Sequence, residues 1–181
     1  MKLWLAWWMQ DRIAMSMHAL LPVLAAITLH EAPNHTTTST LVVDAPPAAI
    51  YALVTDYANW TSLLTDVSGV KVERGGRRDA RVRFHSKALD HTVTVQFDNQ
   101  PDRVIKFVGV EGPPGGRASG SFVLEPLDGG RRTKITASLY LDVVGVAGVF
   151  VSDAKIRGMR QAKLRADLTD VLHRVAARPA A

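Results

Sequence analysis

The chain has no cysteine. That excludes a disulfide scaffold, a thiolate zinc site, an iron–sulfur cluster and a cysteine nucleophile, and it leaves the compartment open. Carboxylates in useful pairs are also missing. Asp56, Asp66, Asp90 and Asp142 all fall at the ends of expected elements, where Asp usually caps or turns. None is paired for glycosidase or protease chemistry. Ser62, Ser86 and Ser119 lack a nucleophile elbow. The glycine-rich stretches at 75–76, 112–116 and 129–130 neither precede a Lys-Ser/Thr pair nor lead from a strand into a helix. They read as hairpin turns, not phosphate cradles. No cofactor is expected, and no motif points to DNA.

What is present suits one domain with an appendage. The chain has 181 residues and 47% hydrophobic content, enough for a core with room for a cavity. The net charge is +5. Much of it gathers near the C-terminus, where Lys155, Arg157, Arg160, Lys163, Arg165, Arg174 and Arg178 outnumber Asp153, Asp167 and Asp170. Such a run is a solvated helix face or a surface for an anionic partner. Residues 1–33 read as a hydrophobic segment resembling a signal or anchor. A charge-free stretch runs from Ile13 to Leu29, long for a signal core and short for a membrane span. The expectation is a membrane-associated or exported protein, or a cytoplasmic one if Met15 or Met17 is the true start. Asn34 to Ser39 reads as a polar linker, and the domain is expected over 40–178.

Within that domain, Thr40–Asp44 is β-branched and predicts a strand. Pro47 suits a first helical turn, with Asp44 near enough to cap it, so Ala48–Asp56 reads as a helix carrying Ile50, Leu53 and Val54. Thr61–Thr65 predicts a second short helix. Six strands follow, at 67–73, 79–86, 90–98, 104–110, 118–125 and 134–143. Pairing Phe84 with Val93 and Leu124 with Ile135 collects the apolar residues on one face of an antiparallel sheet. Arg81, Arg83, Thr94, Gln96, Lys134 and Thr136 then fall on the wet face. Glycines 69, 109 and 120 are candidate bends. A helix over about 153–177 carries a stripe of Ile156, Leu164, Leu168, Val171, Leu172 and Val175. The fold expected is α+β: a curved antiparallel sheet of about seven strands wrapped on that helix, with two short helices after the first strand.

The run from Leu41 to Trp60, LVVDAPPAAIYALVTDYANW, resembles the opening of the START-like helix-grip superfamily, also called SRPBCC or Bet v 1-like. Gly120–Leu127 followed by Thr133-Lys134-Ile135 is similar to its sixth and seventh strands. The likeness covers about 38–177, and the branch it resembles most is that of polyketide cyclase/dehydrases and coenzyme Q-binding START proteins. The resemblance implies a hydrophobic ligand between sheet and last helix. It is specific for fold and weak for chemistry.

The expected lining is Tyr57, Trp60, Leu63, Leu64, Val82, Phe84, His91, Val93, Val95, Phe107, Phe122, Leu139, Val146, Phe150 and Met159. Each alone is as readily core; together they exceed what the helix stripe covers, because the helix offers Arg160 and Lys163 along part of its length. His91, beside Ser86 on the concave side, and Tyr57 are the acid–base candidates. The plainer reading of His91 is a wet residue at the sheet rim. His85 points to the opposite face, so the two histidines share no metal. The apolar join 143–151 is expected at the cavity mouth. With Lys155, Arg157 and Arg160 beside it, it can meet a membrane surface, or it simply packs under the helix. The function expected is binding or transport of a hydrophobic small molecule: a lipid, a quinone or a polyketide-like compound. A cyclase or dehydratase is the alternative. A ribosome- or RNA-associated module is the third reading, weakened because the basic helix has no aromatic ring to stack on a base.

Overall fold

A computed structural model of the chain describes residues 27–145, 148 and 151–177. Its eight strands form one antiparallel sheet: β1 (Thr28–Ala32), β2 (Thr36–Val43), β3 (Val67–Gly75), β4 (Asp79–Ser86), β5 (His91–Asp98), β6 (Val104–Glu111), β7 (Gly116–Leu127) and β8 (Arg132–Val143). The spatial order is β1-β2-β8-β7-β6-β5-β4-β3. Between β2 and β3 lie helix α1 (Pro47–Val54), a 3-10 turn (Tyr57–Asn59) and helix α2 (Trp60–Leu63). The 24-residue helix α3 (Asp153–Ala176) closes the described structure.

The expected registers hold. Phe84 pairs with Val93 and Ser86 with His91, while Leu124 pairs with Ile135. Inner-face residues Val82, Ile105, Ile135 and Ala137 are wholly buried. Gly69, at φ +59°, sits where the β3–β4 register shifts; a left-handed residue there lets the strand bulge and bend. A second shift lies between Thr94 and Val95, opposite Gly109. Pro47 does open α1, but Asp44 does not cap it: its exposed carboxylate turns to Arg132, 3.7 Å away. Helix α3 starts at Ser152, whose hydroxyl accepts the Lys155 amide, and ends with His173 and Arg174 in its last turn, a charge order suited to the helix dipole.

The polar linker expected at 34–39 is corrected. Thr36–Ser39 belongs to β2, with Thr37 and Ser39 buried. The domain also reaches back past residue 34, because Thr28–Ala32 pairs with Thr36–Thr40 as an edge strand. This is the eighth strand, beyond the seven expected. A run of threonines is polar in composition, yet its β-branched side chains suit a strand as well as valine does. The signal- or anchor-like reading of residues 1–26 lies outside the described residues. Among the described ones, no helix is long and apolar enough to cross a membrane.

Candidate functional site

The inner face of the sheet is covered unevenly. At one end Ala80, Phe97, Ile105, Leu124 and Ile135 are sealed beneath α1 and the turn that follows it. Tyr57 lies on Phe97 with ring centroids 4.6 Å apart, and Trp60 meets both Phe84 and Phe97 edge-on at 5.5 Å. The Trp60 indole N–H donates to the Val54 carbonyl at 2.9 Å. On the same face Val93, Phe107, Ala118, Gly120, Phe122 and Leu141 remain only half-buried, although Phe107 pairs with sealed Phe97 and Phe122 with sealed Ile105. Gly120 is required here: a Cβ would fall 2.6 Å from the Phe107 ring and 2.5 Å from the Ser138 carbonyl. The ring of Phe107 therefore lies flat across β7, which only glycine permits.

The expected lining divides along this gradient. Tyr57, Trp60, Leu63, Val82, Phe84, Val95 and Leu139 are buried core. Leu64, Val93, Phe107, Phe122 and Met159 are the half-covered ones. His91 is exposed at the first position of β5, so it stands at the wet rim outside the apolar face. Val146 and Phe150 lie outside the described residues. Tyr57 does not fit an acid–base role. Its oxygen accepts from Asn99 Nδ2 at 2.6 Å, and burial pushes its phenol up to about 12, with the Asn99 bond pulling the other way. It holds its proton at any physiological pH. Asn99 also donates to the Arg77 carbonyl and accepts from the Lys106 amide, which makes the Tyr57–Asn99 pair a tie between the β5–β6 turn and the helices.

Arg160 and Lys163, expected to interrupt the apolar stripe of α3, each anchor a charged group. Arg160, read from sequence as an outward cation, is 3% exposed. It donates to Glu31 at 2.8 Å, Thr37 Oγ1 at 3.2 Å and the Leu141 carbonyl at 3.1 Å. Glu31 also accepts from Thr37 and Gln161. Burial pushes the Glu31 carboxyl up, but the bonds from Thr37, Arg160 and Gln161 outweigh it, and the group titrates below its ordinary value. Arg160 is thus unavailable to lipid headgroups.

The second group joins Lys163 to Asp167 at 2.5 Å and to Asp66 at 3.7 Å. Asp66 in turn accepts from Ser86 Oγ at 3.0 Å and from the Ala88 amide at 2.7 Å. Burial pushes the Asp167 carboxyl up, against the pull of Lys163. The Lys163 ammonium, despite burial, is held above its usual range by Asp167 and Asp66. Sequence reasoning treated Asp66 as an end-of-element Asp. The i,i+4 spacing of Lys163 and Asp167 was a usable signal, but no local pattern announces their meeting with Asp66. The outer face also holds a surprise, since Thr94 is buried there, donating to Glu111 at 2.9 Å. Among the described residues, no cluster of three His, Cys, Asp or Glu side chains is placed to hold a metal.

Two recesses are lined by described residues. One, of about 290 Å³, lies between α1, α2 and the end of α3, lined by Leu53, Asp56, Asn59, Ser62, Leu63, Arg174 and Ala177. The other, of about 150 Å³, is bounded by β1, the β1–β2 turn and the start of α3. Both have mixed polar and apolar linings, and neither is the sheet–helix interior.

A strongly curved antiparallel sheet gripping one long helix, with short helices after the first long strand, defines a helix-grip protein. The family model for polyketide cyclase/dehydrase and lipid transport proteins matches residues 34–178, and the chain belongs to that family. Solved structures agree on the fold. The Zhui aromatase/cyclase from Streptomyces sp. R1128 is 24% identical with a TM-score of 0.65, covering 81% of this chain and 96% of its own. A START superfamily protein from Mycobacterium smegmatis is 16% identical with a TM-score of 0.68, covering 78% and 97%. A protein from Thermus thermophilus is 20% identical with a TM-score of 0.66, covering 80% and 99%. No curated protein matches the chain.

Proposed function

We propose that this protein binds an apolar small molecule, a lipid, quinone or polyketide-like compound, against the half-covered inner face of β5–β8, and that it carries the molecule without transforming it. One observation carries the reading: Val93, Phe107 and Phe122 are only half-buried on a face whose neighbouring residues Phe97, Ile105 and Ala137 are sealed. An apolar wall left open in a folded domain marks a place for a guest. Covering about 300 Å² of a ligand there is worth roughly 7 kcal/mol at 25 cal/mol/Å². That figure corresponds to a Kd of about 10 μM, and association costs weaken it from there.

The cyclase or dehydratase alternative draws support from the aromatase/cyclase structures that share the fold. It lacks a matching acid–base pair, because His91 is exposed and Tyr57 is locked. The ribosome-associated alternative is weakened in turn, since Arg160 and Lys163 are engaged inside the protein. Contact with a membrane surface through 143–160 and the N-terminal segment belongs to the same proposal. Lys155 and Arg157 are exposed for it, whereas Arg160 is not.

The test is organic extraction of the purified protein followed by mass spectrometry, with titration of its tryptophan fluorescence by quinone and alkyl-chain analogues. A co-purifying apolar compound and saturable quenching at tens of micromolar or above are expected. An empty extract together with no quenching would refute the reading.

A further inference from the structure

Helix α3 has two flanks around its buried stripe of Ile156, Arg160, Leu164, Leu168 and Val171. Gln161 lies on the flank that reaches Glu31 of β1. At 100° per residue, Met159, Lys163 and Asp167 fall on the opposite flank. With β2 and β8 under the helix, that opposite flank is turned toward the β5–β7 side, where the inner face is half-covered. Lys163 reaches from it to Asp66, whose carboxylate rests on Ser86 at the inner-face end of β4. Lys163, Asp167 and Asp66 are all largely shielded, with side chains 25%, 18% and 12% exposed.

This group holds two carboxylates around one ammonium. The charges next to it do not reverse that balance: Asp170 accepts from Thr65, and Lys87 donates to the Thr65 carbonyl. His91 stands exposed beyond Ser86. The Lys163 ammonium is already taken up by Asp167 Oδ1. Asp167 Oδ2 receives no hydrogen bond from a described residue. Carboxylates therefore outnumber cations around this group, with Asp66, Asp167 and Asp170 against Lys163 and Lys87.

We propose that Asp66, Lys163 and Asp167 set the ligand class, admitting neutral apolar molecules that end in a hydroxyl or phenol and rejecting those that end in a carboxylate. The inference rests on the ligand site proposed above. A hydroxyl can donate to Asp167 Oδ2. A carboxylate brought to the same place adds a third negative charge around one ammonium, where shielding from water makes like-charge repulsion costly.

A matched pair tests it: 4-octylphenol and 4-octylbenzoate at pH 7.5, measured by calorimetry on the full chain and on Asp167→Asn. The phenol should bind about tenfold more tightly or better, and the gap should close in Asp167→Asn, mainly through tighter benzoate. Melting curves establish that the variant is folded, and the wild-type pair stands as a test without it. Equal or tighter benzoate binding by the wild type overturns the proposal while leaving the ligand site intact. So does a phenol preference that Asp167→Asn leaves unchanged. Failure of both compounds to bind overturns the site and this inference together.

Discussion

Removing Arg160 should unlock the first strand. Its guanidinium is 3% exposed and ties three partners: Glu31 on β1, Thr37 on β2 and the Leu141 carbonyl on β8. Arg160→Met keeps most of the aliphatic volume and deletes all three bonds. It leaves the wholly buried Thr37 with Glu31 as its remaining side-chain partner, and leaves Glu31 without its cation. Breaking a buried ion pair from one side costs about 3–5 kcal/mol. Glu31 is 24% exposed on its side chain and can rehydrate, so the lower figure, about 3 kcal/mol, applies. For a domain of this size that is roughly 6–12 °C in Tm. Guanidinium denaturation of Arg160→Met, Glu31→Gln and the double variant reads it directly. The double variant should cost less than the two single changes combined, because each single change leaves a charge without its mate. Hydrogen exchange of the Thr28–Ala32 amides should rise in Arg160→Met before the rest of the sheet is affected. The reasoning fails if Arg160→Met matches the exposed control Arg165→Met within about 0.5 kcal/mol.

The remaining predictions address titration and packing. Because Glu31 titrates below its ordinary value, its contribution is present above pH 4.5 and is lost as the pH falls through the depressed value. Acid titration followed by circular dichroism should show a shallower loss of stability for Glu31→Gln than for the wild type. The Tyr57 phenol, raised to about 12, favours the fold while neutral. Stability should therefore fall between pH 10 and 12 by about 2–3 kcal/mol, as the unfolded chain ionises first; Tyr57→Phe should lose that slope in alkaline denaturation. Gly120→Ala drives a methyl into the Phe107 ring and the Ser138 carbonyl. It should cost about 1–3 kcal/mol in urea unfolding and weaken binding of any apolar ligand on that face. The paired change Gly120→Ala with Phe107→Leu should recover part of both losses.

Much of the architecture was readable because strand alternation and helix periodicity are local. The period-two pattern of Ala80, Val82, Phe84 against Val93, Val95, Phe97 placed the β4–β5 register to the residue. The stripe of Ile156, Leu164, Leu168 and Val171 marked the buried side of α3. The Thr-rich run at 36–39 was misread as a linker because hydroxyl side chains look solvent-facing by composition. Thr37 is buried between β1 and β8, where distant Glu31 and Arg160 satisfy its hydroxyl. The apolar residues of the inner face were legible as a set, while which of them are sealed and which stay half-covered was not. Val82 and Val93 look alike in a sequence; one is wholly buried and the other half-covered.

The chain by itself determined which residues could share a face, since side-chain direction follows from backbone period alone. Tertiary structure decided which parts of that face meet α1, α2 and α3 and which stay open. It also decided that Asp66 would meet Lys163 and Asp167 of the distant helix α3 beside the half-covered part. Those outcomes depend on the curvature of the sheet and the seating of the last helix, which arise from long-range packing and leave no local period to read.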